Sequence, residues 1–212
     1  MALGLGTVRK TAGAESSDSP QRRRILDLAL SLMAQQGVDG TSMRDLANAA
    51  GLNVATLYHY FPSKADLLTA VLTERGYEDL LEAPSATSSN EPKAAGLKEL
   101  IDDQLRSMLD LEDFVRLMLG EALRGDPTAL AVGTELLNAT QAAFERWLED
   151  CEPELSSELG AGPLSRLLRA LLVGLFVEHA AGIIRGEPDD PFAGRASEIA
   201  AILSARSPVR PI

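Results

Sequence analysis

Cysteine is all but missing from this chain. Cys151 stands alone, so no disulfide can form within it, which fits a reducing compartment. Aromatic residues are only 4% of the total, with one tryptophan, and there are two histidines. No apolar run reaches the roughly 18–20 residues that a membrane span needs. The most apolar stretch, LLRALLVGLFV at 167–177, is interrupted by Arg169. The opening MALGLGTVRK lacks a charged region followed by an apolar one, so no signal peptide is expected. These absences point to a cytoplasmic protein with no membrane partner. Strand-like alternation and internal repeats are absent too. So are a Gly-rich phosphate loop and any nucleophile motif; no catalytic residue, metal or cofactor is expected.

What remains is an ordinary globular composition: 212 residues, 45% hydrophobic and 24% charged, enough for one domain or a small one joined to a medium one. The net charge of −11 argues against a nucleic-acid partner when taken whole. It is unevenly spread. Residues 1–73 hold seven Lys/Arg and six Asp/Glu, a balance of +1, which leaves 13 and 25, or −12, for residues 74–212. Charge per domain is the meaningful quantity, and the N-terminal part is free to meet an anion.

Residues 1–19 have no apolar period and read as a mobile arm. From Gln21 to Gln36, Ile25, Leu26, Ala29, Leu32 and Met33 recur at helical spacing, and Gly37 ends that helix. Thr41 or Ser42 can cap a second helix whose inner face is Met43, Leu46, Ala47 and Ala50, with Gly51 as its stop. Asn53 can cap a third, Val54 to Tyr60, and Ser63 a fourth, with Asp66 near its positive end. Residues 83–93 have loop composition and mark the domain boundary. Beyond it, helices are expected at 94–109, 111–124, 127–150, 163–186 and 192–205, with 152–162 as a connection and GEPDDP at 186–191 as a break. The fold class is all-α, divided into an arm (1–19), a head (20–73) and a helical body (74–212).

Helix, tight turn at Gly51, short helix is helix-turn-helix grammar. Ala47 permits close approach of the two helices, Gly51 tolerates positive φ, and Leu57 is the inward anchor. Leu57 and Phe61 face inward as an i, i+4 pair, which sends Ala55, Thr56, His59 and Tyr60 outward, with Val54 and Tyr58 on the flanks. No acid occurs from residue 46 to residue 65. That stretch can therefore approach phosphate, and its Tyr, His and Thr side chains can bond to phosphate oxygens or base edges.

The stretch TSMRDLANAAGLNVATLYHYFPSKADLL, 41–68, closely resembles the DNA-binding region of the TetR family of bacterial transcriptional regulators. The likeness rests on Thr41, LA at 46–47, AGL at 50–52, TLYHYF at 56–61 and SKADLL at 63–68, and extends over about 21–73. It implies a three-helix DNA-binding head, a ligand-binding and dimerisation body, a palindromic double-stranded DNA operator, a homodimer, a small-molecule effector and, by family default, repression. Carried over by position, it implies DNA contacts by Ser42 and Arg44 on the second helix, by Thr56, His59 and Tyr60 on the recognition helix, and by Tyr58 and Lys64 on the backbone. Tyr58 could instead pack against the first helix, and Arg22 to Arg24 could either meet phosphate or merely start a solvated helix. Asn53 stands where the family often has Ser, and the apolar Val54 and Ala55 weaken any forecast of base sequence.

The resemblance also implies an effector pocket in the body. Polar residues embedded in apolar helical stripes mark candidates: Glu121 beside Met118, Gln141 beside Phe144, and His179 beside Phe176. Ala170, Gly174, Ala181 and Gly182, with Ile199, Ile202 and Leu203, suggest a dimer surface made by the last two helices. Two other readings compete: a helical-bundle enzyme using Cys151, Glu178 and His179, and a helical protein-interaction module.

Overall fold

The computed structural model describes residues 19–75, 96–183 and 191–204. The expected arm at 1–19, Ser19 apart, the loop at 83–93 and most of GEPDDP lie outside the described residues. Every regular element among those described is a helix, in agreement with the expected class.

α1 (Pro20–Gly40) starts at Ser19, whose hydroxyl accepts the Arg22 N–H, with Pro20 in the first turn, where its missing donor costs nothing. The helix breaks at Gly37, where φ is 76°. α2 (Met43–Ala50) is capped by Ser42 in a reciprocal capping box with Asp45, which settles the choice between Thr41 and Ser42. Thr41 is instead buried, its hydroxyl donating to the Gly37 carbonyl at 2.9 Å. Gly51 closes α2 in the left-handed region at φ 68°, ψ 30°. α3 (Val54–Tyr60) is capped by Asn53, and α4 (Lys64–Glu74) by Ser63. Ile25, Leu26, Ala29, Met33, Leu46, Ala47, Leu57, Phe61, Leu67 and Val71 form the buried centre of this four-helix unit.

The body begins with α5 (Leu97–Asp110) and α6 (Glu112–Arg124), followed by α7 (Pro127–Cys151), which Asp126 caps by accepting the Ala129 N–H at 2.8 Å. The expected connection at 152–162 contains a helix, α8 (Pro153–Leu159). Its Glu and Ser residues read as loop because it buries nothing fully and so carries no apolar stripe. At Gly160, φ 78°, the chain turns by 96° into α9 (Ala161–Ala180). A Cβ at Gly160 would lie 3.1 Å from Pro163 Cδ, a second reason for glycine there. α9 ends at Ala180, ahead of the expected 186. α10 (Arg195–Ser204) packs on α5. No single helix among the described residues is long and apolar enough to cross a membrane.

Among the described residues the head meets the body chiefly where α1 lies along α6 and α4 touches α7. α1 and α4 are also clasped at the surface. Arg22 pairs with Glu74, which raises the pKa of its guanidinium chiefly through that hydrogen bond, and it lies 5.1 Å from the centre of the Phe61 ring. Arg75 pairs in the opposite sense with Asp27 at 2.9 Å.

Candidate nucleic-acid interface and interior cavity

Leu57 is fully buried and Phe61 nearly so, which orients the whole of α3. The outward ridge is Ala55, Tyr58, His59 and Pro62, one side of the helix continued into the turn. Tyr58 thus belongs to the exposed ridge, at 46% exposure. Tyr60 moves the other way: it is half-buried, packs on the core, and meets His59 edge-on at 6.0 Å between ring centres. At 100° per residue both tyrosines stand about 80° from the inward direction set by Leu57 and Phe61, so helical period does not separate them; the core packs on the Tyr60 side.

The hydroxyls are partly committed. Thr56 is half-buried, and both its N–H and its hydroxyl donate to Asn53 Oδ1, at 2.7 and 2.9 Å. Ser42 is exposed, and its hydroxyl donates to Asp45 while accepting the Asp45 N–H at 3.2 Å. These bonds from Ser42 hold the Asp45 carboxyl below its usual range, the side-chain bond first and the backbone bond second. Arg44 is exposed on the same helix. Lys64 turns inward: its ammonium donates to the Val38 carbonyl at 2.8 Å and to that of Thr41 at 3.2 Å, tying α4 to the α1–α2 connection. No spacing in the sequence signals these long-range bonds. Arg22 is spent on Glu74, while Arg23 and Arg24 are exposed.

In the body, α5, α6, α7 and α9 line a partly open cavity of about 200 Å³. Met108, Val115, Met118, Ala129, Leu136 and Leu172 supply apolar wall, and the polar side chains reaching it are Gln104, Thr134, Thr140 and Arg169. Of the six expected pocket residues only Met118 lines it. Glu121, buried and bonded to Arg124 at 2.7 Å, and Phe176 face a second, more open depression against α1, of about 550 Å³. Gln141 donates to Glu145 at 2.9 Å, which also accepts the Ser165 hydroxyl, and Phe144 is core. His179 sits between Phe176 and Phe192, its Nε2 3.6 Å from Glu112. The helical stripes were correctly read as apolar. Which polar neighbours of a stripe look into a cavity depends on how four helices meet. Arg169 carried the one usable signal, as the charge that interrupts the most apolar run.

The residues of the competing enzyme reading do not make a nucleophile. Burial first, then Asp150 and Glu152, push the Cys151 thiol up, away from the reactive thiolate. Glu178 is exposed, while His179 faces Glu112.

Comparison with known proteins agrees with this geometry. Residues 25–71 match the family model described as bacterial regulatory proteins, tetR family. The HTH-type transcriptional regulator RutR of Escherichia coli O157:H7 is 34% identical over 149 residues, 68% of this chain and 69% of that protein. The HTH-type transcriptional repressor KstR of Rhodococcus jostii is 28% identical over 143 residues, 66% of this chain and 65% of its own. Among solved structures, a putative transcriptional regulator from Saccharomonospora viridis, in complex with choline, superposes with a TM-score of 0.69 at 21% identity, over 84% of this chain and 94% of that one. With the helix-turn-helix inside the matched segment and relatives that are regulators rather than enzymes, the chain belongs to the TetR family of bacterial transcriptional regulators.

Proposed function

We propose that this regulator is a cytoplasmic repressor that binds a palindromic operator as a homodimer and releases it when a small molecule fills the body cavity. The observation that carries the DNA contact is the acid-free ridge of α3, with Tyr58 and His59 exposed on a helix that Leu57 and Phe61 hold rigidly to the head. Residues 20–73 act as the head and 74–212 as the body, with 1–19 as an arm. Arg44, Tyr58 and His59 are the contacts the exposure favours. Ser42 and Thr56 offer acceptor lone pairs, Tyr60 its hydroxyl from the flank, and Lys64 the one ammonium N–H left after its two carbonyl bonds.

The dimer reading is supported by α9. Leu167, Ala170, Leu171, Gly174 and Val177 form an exposed apolar strip, continued by the exposed Ile202 on α10. A second copy related by a two-fold axis covers the strip with itself. Reading two half-sites one turn of DNA apart needs two recognition helices about 34 Å apart, which a single copy does not supply. The cavity reading is supported by what its walls touch. α6 and α7 line it, and these are the helices against which α1 and α4 rest. A ligand that prefers a wider cavity favours a different seating of the head and so a different spacing of the pair, by no more than its differential affinity for the two states. A related fold holds choline in the Saccharomonospora viridis regulator, a cation of comparable small size.

The test is operator binding by full-length protein, followed by fluorescence anisotropy. Tyr58→Ala and His59→Ala should each weaken binding several-fold, on the order of 1 kcal/mol per lost contact. Affinity should fall steeply with salt. Undiminished binding by both variants sinks the assignment of α3 as the reading helix.

A further inference from the structure

The cavity has an electrostatic asymmetry. Its wall holds no Asp or Glu, and its one charged member is Arg169, in a body whose residues 74–212 carry −12. The other described body arginines are either paired with a carboxylate (Arg75, Arg116, Arg124, Arg195) or exposed (Arg106, Arg146, Arg166). Arg169 is half-buried, and among the described residues no carboxylate lies within ion-pair distance of it. Its guanidinium has five N–H donors and a single contact, Nη1 to the Leu137 carbonyl at 3.4 Å, beyond the usual range for such a bond. A guanidinium fork left open beside apolar wall is the complement of a carboxylate.

Resting on the reading of this space as the effector site, we propose that the effector is an amphipathic monocarboxylic acid. Its apolar part lies between Met118, Gly133 and Leu172, and its carboxylate meets Arg169. Size supports this: a cavity of about 150 Å³ takes a benzene ring, so about 200 Å³ takes a ring with a short chain. Charge supports it too. One cation balances a monoanion, whereas a phosphate dianion would bring a second charge to an apolar wall with nothing to pair it.

The test uses 3-phenylpropionate, its neutral amide and 3-phenylpropylamine, titrated calorimetrically into the full-length protein at pH 7. The acid is expected to bind about tenfold or more tightly than the amide, and the amine most weakly. Arg169→Gln should bring the acid down to the level of the amide and leave the amide within about twofold. Gly133→Leu, whose Cβ would stand 3.5 Å from Met118 Sδ, should weaken acid and amide alike by filling the space. Equal affinity for acid and amide in the unaltered chain overturns the proposal without reliance on any variant. So do undiminished acid binding by Arg169→Gln and no binding of any probe. Operator affinity is measured separately with and without the acid. An acid that binds through Arg169 but leaves operator affinity unchanged upholds the carboxylate site and removes the effector reading. An operator released by other compounds, with no binding of the acid, does the reverse.

Discussion

Single side chains in this protein do work that their position in a motif does not announce. Lys64 ties α4 to the carbonyls of Val38 and Thr41. Lys64→Ala should therefore destabilise the protein by about 1–3 kcal/mol, the worth of hydrogen bonds from a charged donor, as well as weaken DNA binding. Thermal unfolding separates this from a pure phosphate contact, which would leave the melting temperature where it was. Trp147, the only tryptophan, is buried with its indole N–H lacking a partner among the described residues. Trp147→Phe removes that orphan donor with part of the ring volume and should cost much less than the roughly 3–5 kcal/mol expected of Trp147→Ala. Urea unfolding followed by circular dichroism measures both variants.

At the scale of elements, short helices depend on their ends. α2 has eight residues, too few to be stable by propensity alone, and is fastened by the Ser42–Asp45 box and by Gly51. A Cβ at Gly51 meets nothing within 4 Å, so the cost of Gly51→Ala is backbone strain alone, about 1–2 kcal/mol, and Gly51→Asn should cost less. Chemical denaturation of the two variants tests that order. The pKa of Asp45 is lowered in the folded protein, so the stability its box supplies is present above the unfolded carboxylate pKa of about 3.9 and is lost as pH falls through the lower folded value. The melting-temperature gap between the native protein and Asp45→Asn should accordingly be widest near neutral pH and close as the solution is acidified towards that range. A constant gap down to strong acid would contradict the ionised box.

For the whole molecule, the proposed function sets dimerisation on the exposed strip of α9 and ligand response in the pocket behind it, on opposite sides of one helix. Leu171→Asp, at the centre of the strip, should convert the proposed dimer to monomer in analytical ultracentrifugation and reduce operator affinity by more than any single contact variant, because specificity needs both half-sites. Arg169 lies two residues away on the cavity side. Its substitution should leave the dimer intact, so the two surfaces can be tested apart.

The first four helices with their caps and stop were legible in the chain itself, because Ser42, Asn53, Ser63 and Gly51 act on backbone groups three or four residues away. The orientation of α3 was legible for the same reason: Leu57 and Phe61 turn inward by helical period alone, whereas Tyr58 and Tyr60, each about 80° from that direction, are told apart only by the packing around them. α8 was missed because a helix lying on the surface leaves no stripe to read. The cavity was not legible in its membership. Glu121 and Gln141 look alike in sequence to Gln104 and Thr140, polar residues among apolar ones. Only the angle at which α5, α6, α7 and α9 meet decides which of them face a common space. Helical period fixes the direction of a side chain relative to its own axis; where that axis points is settled by packing between segments distant in the chain, and it is there that Lys64 turned inward and Arg169 came to line the pocket.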